Sequence, residues 1–290
     1  MQIVIDGKSC NAAPGQSLLE VARHNGIDIP SLCHHEGLPG RGCCRLCIVE
    51  TEDANAKDAN GTANAEDANG TANAKDANGT ADAEDANGTA DAEDTNGVAD
   101  ASPKRSLVIS CVYPVHDSMT VYTKSEKVIR LRRTLLALLI EHAPDAEGAL
   151  PAYCLEYGVT GYHGLLNIRK DEKCILCGLC VRACEELGNS AIQITRRGVD
   201  KIVAPPFDEP PQDCIGCAAC ARVCPTHAID CLNDDERRTI WDKTFPLVKC
   251  AACGKPYATA DELEWLKEKL LDTELNLAYC PKCRGRASRF

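Results

Sequence analysis

Two short runs of cysteine constrain this chain more than any other feature. Cys174-x2-Cys177-x2-Cys180-x3-Cys184 is followed by Cys214-x2-Cys217-x2-Cys220-x3-Cys224, with Pro225 directly after. Thiols at x2 spacing suit a loop wrapped around a metal centre better than a disulfide framework, and two matching runs rarely arise by chance. Cysteine is dense throughout, 20 of 290 residues, and twelve of the 20 sit at C-x2-C spacings. The N-terminus, Met1 to Lys8, lacks the basic start and apolar stretch of a secretory signal. The longest apolar run, Leu135 to Ile140, falls far short of the ~20 residues that span a membrane. A soluble cytoplasmic chain whose thiols stay reduced and bind metal is therefore expected.

The spacing is that of bacterial two-cluster ferredoxins, in which three cysteines of each run hold one 4Fe–4S cube and the fourth ligates the other. It assigns Cys174, Cys177, Cys180 and Cys224 to one cube, and Cys214, Cys217, Cys220 and Cys184 to the second. Glu185 stands where a proline usually follows the fourth cysteine. Ile175, Ile192, Ile194, Ile215 and Ile229 are expected to form the apolar packing around the cubes.

The N-terminal region reads as strand, Asp6-Gly7 hairpin, strand and then a helix from Leu18 to about Asn25, opened by the capping box Ser17/Glu20 and stopped by Gly26. Residues 51–101 change character: five nine-residue units of the KDANGTANA type run in tandem from 57 to 101. The period resembles that of calcium-binding β-rolls, but each unit has one glycine and the only apolar residue larger than alanine is Val98, so a flexible acidic insert is expected. Strands are expected at 107–110 and 119–123. A helix is expected over 126–141, with Val128, Leu131, Leu135, Leu138 and Leu139 on its apolar stripe and Arg130, Arg132 and Arg133 on a solvated face.

Cys33, Cys44 and Cys47 are spaced C-x10-C-x2-C. Sixty-three residues separate Cys47 from Cys111, and removing 51–101 leaves 12, so the repeats interrupt a four-cysteine motif. Here Gly42-Cys43-Cys44-Arg45-Leu46-Cys47-Ile48-Val49-Glu50, flanked by Cys33-His34 and Ser110-Cys111, resembles the iron–sulfur subunit of complex I-type NADH dehydrogenases, NAD-linked hydrogenase diaphorases and electron-bifurcating hydrogenases or formate dehydrogenases. The resemblance covers roughly 1–50 and 102–232. It implies a β-grasp domain with a 2Fe–2S cluster on Cys33, Cys44, Cys47 and Cys111. The family often carries a further cluster on H-x3-C-x2-C-x5-C; after His142 this chain has Ala146 and Ala149, and Cys154 is one residue out of register, so that cluster is expected to be lost.

Cys250-x2-Cys253 and Cys280-x2-Cys283 are paired knuckles that read as a tetrahedral zinc site, with mononuclear iron or a 4Fe–4S cluster as alternatives. Between them Thr259 and Glu262 form another capping box, and Leu263, Leu266 and Leu270 an apolar face. Cys10, Cys43, Cys154 and Cys231 are left as free thiols, with Cys43 the candidate alternate ligand, and His34 and His35, which flank Cys33, read as supporting or surface residues rather than proton carriers.

The fold class expected is α+β: a β-grasp 2Fe–2S domain over 1–125, interrupted by the insert; a helical linker over 126–170; a two-4Fe–4S ferredoxin domain over 171–232; and a zinc-ribbon-like module over 233–290. No dinucleotide or phosphate loop follows a strand, Gly158, Gly161 and Gly164 being spaced G-x2-G-x2-G, and no nucleophile–base set is visible. The cofactors, one 2Fe–2S cluster, two 4Fe–4S clusters and one zinc, then carry the function. The resemblance implies a non-catalytic electron-relay subunit between a flavin-containing NAD(P)-binding subunit and a hydrogenase or formate dehydrogenase-type subunit, with ferredoxin a further candidate partner. A self-standing multi-cluster ferredoxin and a redox-sensing zinc-ribbon regulator are the alternatives. The net charge of −11 speaks against nucleic acid. That charge sits in residues 51–101, which hold 13 acidic and 2 basic side chains, while the remainder holds 30 of each.

Overall fold

The computed structural model describes residues 1–52, 105–160, 172–269 and 276–287. Strands β1 (Gln2–Ile5) and β2 (Lys8–Asn11) are joined by Asp6 and Gly7, both at positive φ (48° and 81°), as a two-residue primed hairpin turn requires. Helix α1 (Leu18–His24) starts on the expected box: the Ser17 hydroxyl accepts from the Glu20 N–H at 3.3 Å, and the Glu20 carboxylate accepts from the Ser17 N–H at 2.8 Å. Strands β3 (Ile48–Glu52), β4 (Arg105–Ile109) and β5 (Thr120–Tyr122) complete a five-stranded sheet in the order β2-β1-β5-β3-β4. Only β1 and β5 run parallel in it. Leu18, Leu19, Val21 and Ala22 of α1 pack on Ile3, Ile5, Val49 and Val121 of the sheet, with Cys10 buried among them.

Strands β3 and β4 pair without a break from Ile48 opposite Ile109 to Glu52 opposite Arg105. The strands therefore extend to the edges of the acidic insert, whose repeats lie outside the described residues. The insertion point is a hairpin tip, with Arg105 Nε 3.6 Å from the Glu52 carboxylate.

Helix α2 (Glu126–His142) is capped by Ser125, whose hydroxyl accepts from the Val128 N–H at 3.2 Å. Its buried face differs from the stripe read in the sequence: Val128, Arg132, Leu136 and Ala137 are buried, while Leu138 is exposed. Arg132, expected in solvent, is 1% exposed. Its guanidinium donates to the Leu46 carbonyl (3.2 Å), the Ile48 carbonyl (2.8 Å) and the Tyr157 hydroxyl (3.1 Å). Arg132 thus ties the cysteine loop to α2 and to helix α3 (Ala149–Tyr157), and Arg133, donating to the Tyr157 carbonyl at 3.0 Å, adds a second tie between α2 and α3. Charge periodicity cannot separate an arginine that faces water from one that collects carbonyls.

Helix α4 (Leu179–Glu186), the hairpin of β6 (Gln193–Thr195) and β7 (Ile202–Ala204), and the short helix α5 (Ala219–Arg222) follow. Strands β8 (Cys231–Asn233), β9 (Arg237–Ile240), β10 (Lys243–Lys249) and β11 (Pro256–Thr259) then form an antiparallel sheet in the order β11-β10-β9-β8. The sequence reading gave no strands here. Ile240 and Phe245 of this sheet are buried in one cluster with Cys180, Val181, Ile192, Ala218 and Cys220, so the sheet packs on the preceding cysteine loops. Helix α6 (Ala260–Lys269) starts where the Thr259 hydroxyl accepts from the Glu262 N–H at 3.0 Å. Leu263 is buried and Trp265 and Leu266 half-buried, whereas Leu270 lies outside the described residues. Helix α7 (Pro281–Ala287) ends the described chain. Among the described residues no helix is long and apolar enough to cross a membrane.

Because Glu52 and Arg105 already face each other, replacing residues 53–104 by Asn-Gly should close β3 and β4 directly. The shorter connection lowers closure entropy, so stability should rise by up to about 3 kcal/mol. Denaturant unfolding of the iron-loaded protein checks this; a drop in stability or loss of the visible spectrum would show that the segment supports the sheet.

Candidate metal centres

The two C-x2-C-x2-C loops repeat one backbone. Positive φ falls at Leu176 (53°) and Gly178 (72°) in the first, and at Gly216 (67°) and Ala218 (58°) in the second. A left-handed leucine costs roughly 1–2 kcal/mol, and here the turn rolls N–H groups toward sulfur. Leu176 N–H donates to Cys174 Sγ and Gly216 N–H to Cys214 Sγ, both at 3.4 Å. The fourth cysteines are served alike: Ala191 N–H reaches Cys184 Sγ and Ala228 N–H reaches Cys224 Sγ, both at 3.2 Å. At Gly216 only glycine fits, since a Cβ would lie 2.6 Å from the Phe245 ring.

Cys174, Cys177, Cys180 and Cys224 line one cavity of about 450 Å³. Cys184, Cys214, Cys217 and Cys220 line a second, narrower cavity. Each is thus walled by three cysteines of one run and the fourth of the other. Burial pushes the Cys177 and Cys220 thiols up to about 12 and raises Cys174, Cys180, Cys214 and Cys217 as well. Thiols held so far above neutrality ionise only beside a cationic centre. Four soft donors around a buried cavity, with N–H groups aimed at sulfur, fit iron–sulfur ligation. Ile175 and Ile192 are buried near these loops, and Ile215 and Ile229 line the cavities. Ile194 is 44% exposed, because the β6–β7 hairpin turns it outward.

In the N-terminal sheet Cys33, Cys44, Cys47 and Cys111 are all buried. Their thiols face one another, Cys33 toward both Cys44 and Cys111, and Cys47 toward Cys111. Cys44 N–H donates to Cys33 Sγ at 3.3 Å, and Leu32 N–H to Cys44 Sγ at 3.4 Å. The nearby Cys111 thiol favours thiolate at Cys33 and Cys47, while Cys44 and Cys111 are pushed far above the usual thiol range. All four ionise together only if a metal centre replaces the shared protons. The Ser110 hydroxyl fixes the Cys47 carbonyl at 2.7 Å, and a Cβ on Gly40 would strike the Cys111 carbonyl oxygen. Cys43 is exposed, Cys10 and Cys154 are buried, and Cys231 is half-buried in β8. His34 faces Arg23 at 3.1 Å, and burial, then Arg23, lowers its pKa; His35 accepts from the Gly37 N–H at 3.2 Å.

The N-terminal thiols and the first cavity share one buried cluster. Cys33, Cys44 and Leu46 pack with Ile175, Cys177 and Leu179, alongside Ala143, Ala146, Leu150 and Cys154. Arg182, on α4 between two cysteines of the first run, is 4% exposed. It donates to the Cys33 carbonyl at 2.8 Å and to the Pro39 carbonyl. The sequence offered no sign of this tie between residues so far apart in the chain. Cys180 and Cys220 lie in a second cluster that joins the two cavities.

At the C-terminus the sulfurs of Cys250, Cys253, Cys280 and Cys283 all lie within 4.8 Å of one another. Cys280 N–H donates to Cys250 Sγ at 3.3 Å, which favours its thiolate. Four sulfurs around one ion with ~2.3 Å bonds would sit about 3.8 Å apart, so this set can hold a single metal ion.

Comparison with known proteins finds two iron–sulfur domains in this chain. Residues 1–69 match a 2Fe-2S iron-sulfur cluster binding domain and residues 168–233 a 4Fe-4S dicluster domain. The NADP-reducing hydrogenase subunit HndD of Solidesulfovibrio fructosivorans is 27% identical over 83% of this chain and 37% of its own length. The NADPH-Fe(3+) oxidoreductase subunit alpha of Geobacter sulfurreducens is 25% identical over 91% of this chain and 28% of its own. A crystal structure of an NAD+-reducing [NiFe]-hydrogenase matches with a TM-score of 0.54 and 27% identity, over 78% of this chain and 85% of that one. The chain spans less than two fifths of the length of these two curated relatives. It is an iron–sulfur electron-transfer protein related to subunits of NAD(P)-linked hydrogenases and oxidoreductases.

Arg182→Met should leave the Cys33 and Pro39 carbonyls without their donor and lower stability by about 2–3 kcal/mol. The denaturant midpoint of the iron-loaded protein measures it; a loss below about 0.5 kcal/mol, the range of ordinary surface changes, would refute the clamp.

Proposed function

We propose that this chain relays single electrons within a multisubunit NAD(P)-linked oxidoreductase, between a flavin-containing NAD(P)-binding subunit and a catalytic subunit of hydrogenase or formate dehydrogenase type. One observation carries the reading: three groups of four cysteines lie in sequence, joined by shared buried clusters that hold Cys33 with Cys177 and Cys180 with Cys220. Cys33, Cys44, Cys47 and Cys111 hold a 2Fe–2S cluster. Cys174, Cys177, Cys180 and Cys224 hold one 4Fe–4S cluster, and Cys214, Cys217, Cys220 and Cys184 the other. When bound, such clusters supply one-electron carriers at potentials set by hydrogen bonds to sulfur, net charge and burial.

The protein's part is positional and electrostatic. Leu176, Ala191, Gly216 and Ala228 turn their N–H groups onto thiolate sulfur. Arg182 keeps the Cys33 loop against α4. Ala143, Ala146, Leu150 and Cys154 fill space between the Cys33 and Cys177 loops with apolar side chains. This supports a relay that passes directly from the N-terminal centre to the first cube, with His142 and Cys154 in structural roles.

The mixed sheet with α1 across it supports a β-grasp reading of residues 1–125, followed by a linker over 126–170, a two-cluster domain over 171–232 and a C-terminal module over 233–290. None of the 20 cysteines is paired in a disulfide, which suits a reducing cytoplasmic setting. Cys250, Cys253, Cys280 and Cys283 hold one zinc ion as a staple between β10 and α7.

Anaerobically purified protein should contain about 10 irons per chain, the sum of one 2Fe–2S and two 4Fe–4S clusters, and one zinc. Cys253→Ser should remove the zinc and leave the iron. Loss of iron in that variant, or no zinc in the parent, would overturn the zinc assignment. From its native source the chain should co-elute with a flavoprotein; elution alone near 31.2 kDa would favour a free carrier.

A further inference from the structure

The turn between β9 and β10 reaches into the two-cavity region from beyond the matched dicluster domain, which ends at residue 233. Trp241 and Asp242 form that turn, both at positive φ (52° and 56°). The strained turn places Trp241 in the wall of both cavities at once. Its indole Nε1 is buried with no hydrogen-bond partner. An indole nitrogen can only donate, and a buried donor left unpaired is costly. Cys220 shares the wall of the second cavity with the indole, and Cys180 that of the first.

Two residues on, Lys243 spends its ammonium on the second cysteine loop. Nζ donates to the Pro211 carbonyl at 3.1 Å and to the Gln212 and Cys214 carbonyls at 2.8 Å each. An ammonium has three donors, so all are committed to this loop. On β9, Arg238 is 7% exposed and donates to the Gly216 carbonyl at 2.7 Å. Thr259, at the end of β11, donates to the Ile215 carbonyl at 2.6 Å. Phe245 of β10 fills the space that the missing Gly216 Cβ leaves. The C-terminal sheet thus grips residues 211–216 almost continuously. Asp261 and Glu262 face the same loop from α6, with Glu262 3.7 Å from Arg238. Lys243 has no acidic side chain among these bonds, so its charge is the less compensated one.

We propose that the β9–β10 hairpin sets the reduction potential of the 4Fe–4S pair: Trp241 donates its indole N–H to cluster or cysteinyl sulfur at the shared wall, and Lys243 holds a positive charge against the Cys214–Cys220 centre. Both stabilise the more negative, reduced state and so raise the potential. The inference rests on the cluster assignment of the preceding section.

Potentiometric titration of the anaerobic full-length protein, followed by electron paramagnetic resonance, tests it. Trp241→Phe keeps the ring and removes the donor; Lys243→Met removes the charge, and Lys243→Arg retains it. Each of the first two should shift a 4Fe–4S midpoint downward by about tenfold in reduction equilibrium, about 59 mV for one electron. Lys243→Arg should titrate near the parent, and the 2Fe–2S midpoint should not move in any of them. Iron content equal to the parent with unshifted 4Fe–4S midpoints would overturn the proposal. If Trp241→Phe or Lys243→Met fails to load iron, the Lys243→Gln and Lys243→Arg pair decides it: equal midpoints in those two would also overturn it. A parent protein that shows no 4Fe–4S signals at all would instead contradict the cluster assignment.

Discussion

A loop that wraps thiolates must turn its N–H groups inward, and its carbonyls then face away from the centre with no secondary structure to receive them. Buried carbonyls left unpaired would cost enough to undo the loop. In this chain long cationic side chains from neighbouring elements answer that need. Arg132 of α2 takes the Leu46 and Ile48 carbonyls around Cys47, and Arg182 of α4 takes Cys33 and Pro39. Lys243 and Arg238 of the C-terminal sheet take Pro211, Gln212, Cys214 and Gly216. Arg222 of α5 reaches the Cys217 carbonyl at 2.8 Å. Every one of these side chains brings a positive charge next to a site where negative charge collects.

That arrangement links stability to electron transfer. Four thiolates per centre make each site anionic, and a surrounding of low polarity would hold its potential down. The guanidinium and ammonium groups that satisfy the carbonyls also offset the charge. Because each tie joins two elements distant in sequence, they additionally fix the order of the sites. The Cys33 loop is bound to α4, α4 carries Cys180 and Cys184 into both cavities, and the C-terminal sheet closes on the last loop. The body outside the acidic insert has balanced formal charges, so its cations are available for this role rather than for a uniform surface field.

The cysteine pattern was legible because ligand spacing encodes a local wrap: the spacings within 174–180 and 214–220 mark the ligands, although distant side chains hold the second loop in place. The Ser17 and Thr259 caps were legible for the same reason, each resting on a contact three residues long. The arginines were not. Arg132 sits at a position that reads as polar surface, and only the fold brings the Leu46 carbonyl to it. The C-terminal sheet was missed because its strands carry exposed charge, as in Arg237–Ile240, and its longest, Lys243–Lys249, has Pro246 inside it. Trp241 gave no motif at all; its place between two cavities follows from a turn at positive φ. Ile194 is only partly covered: its Cδ1 lies beside Gly178 of the first loop, while the two-stranded hairpin leaves it 44% exposed.

The central claim is that the N-terminal centre and the first cube form one electron-transfer step across the cluster that holds Cys33 and Cys177. Magnetic interaction between reduced centres measures that proximity directly. Stepwise reduction followed by pulsed electron paramagnetic resonance should show the 2Fe–2S signal relaxing faster once the 4Fe–4S clusters are reduced. A 2Fe–2S relaxation rate unchanged by reduction of the 4Fe–4S clusters would contradict the account.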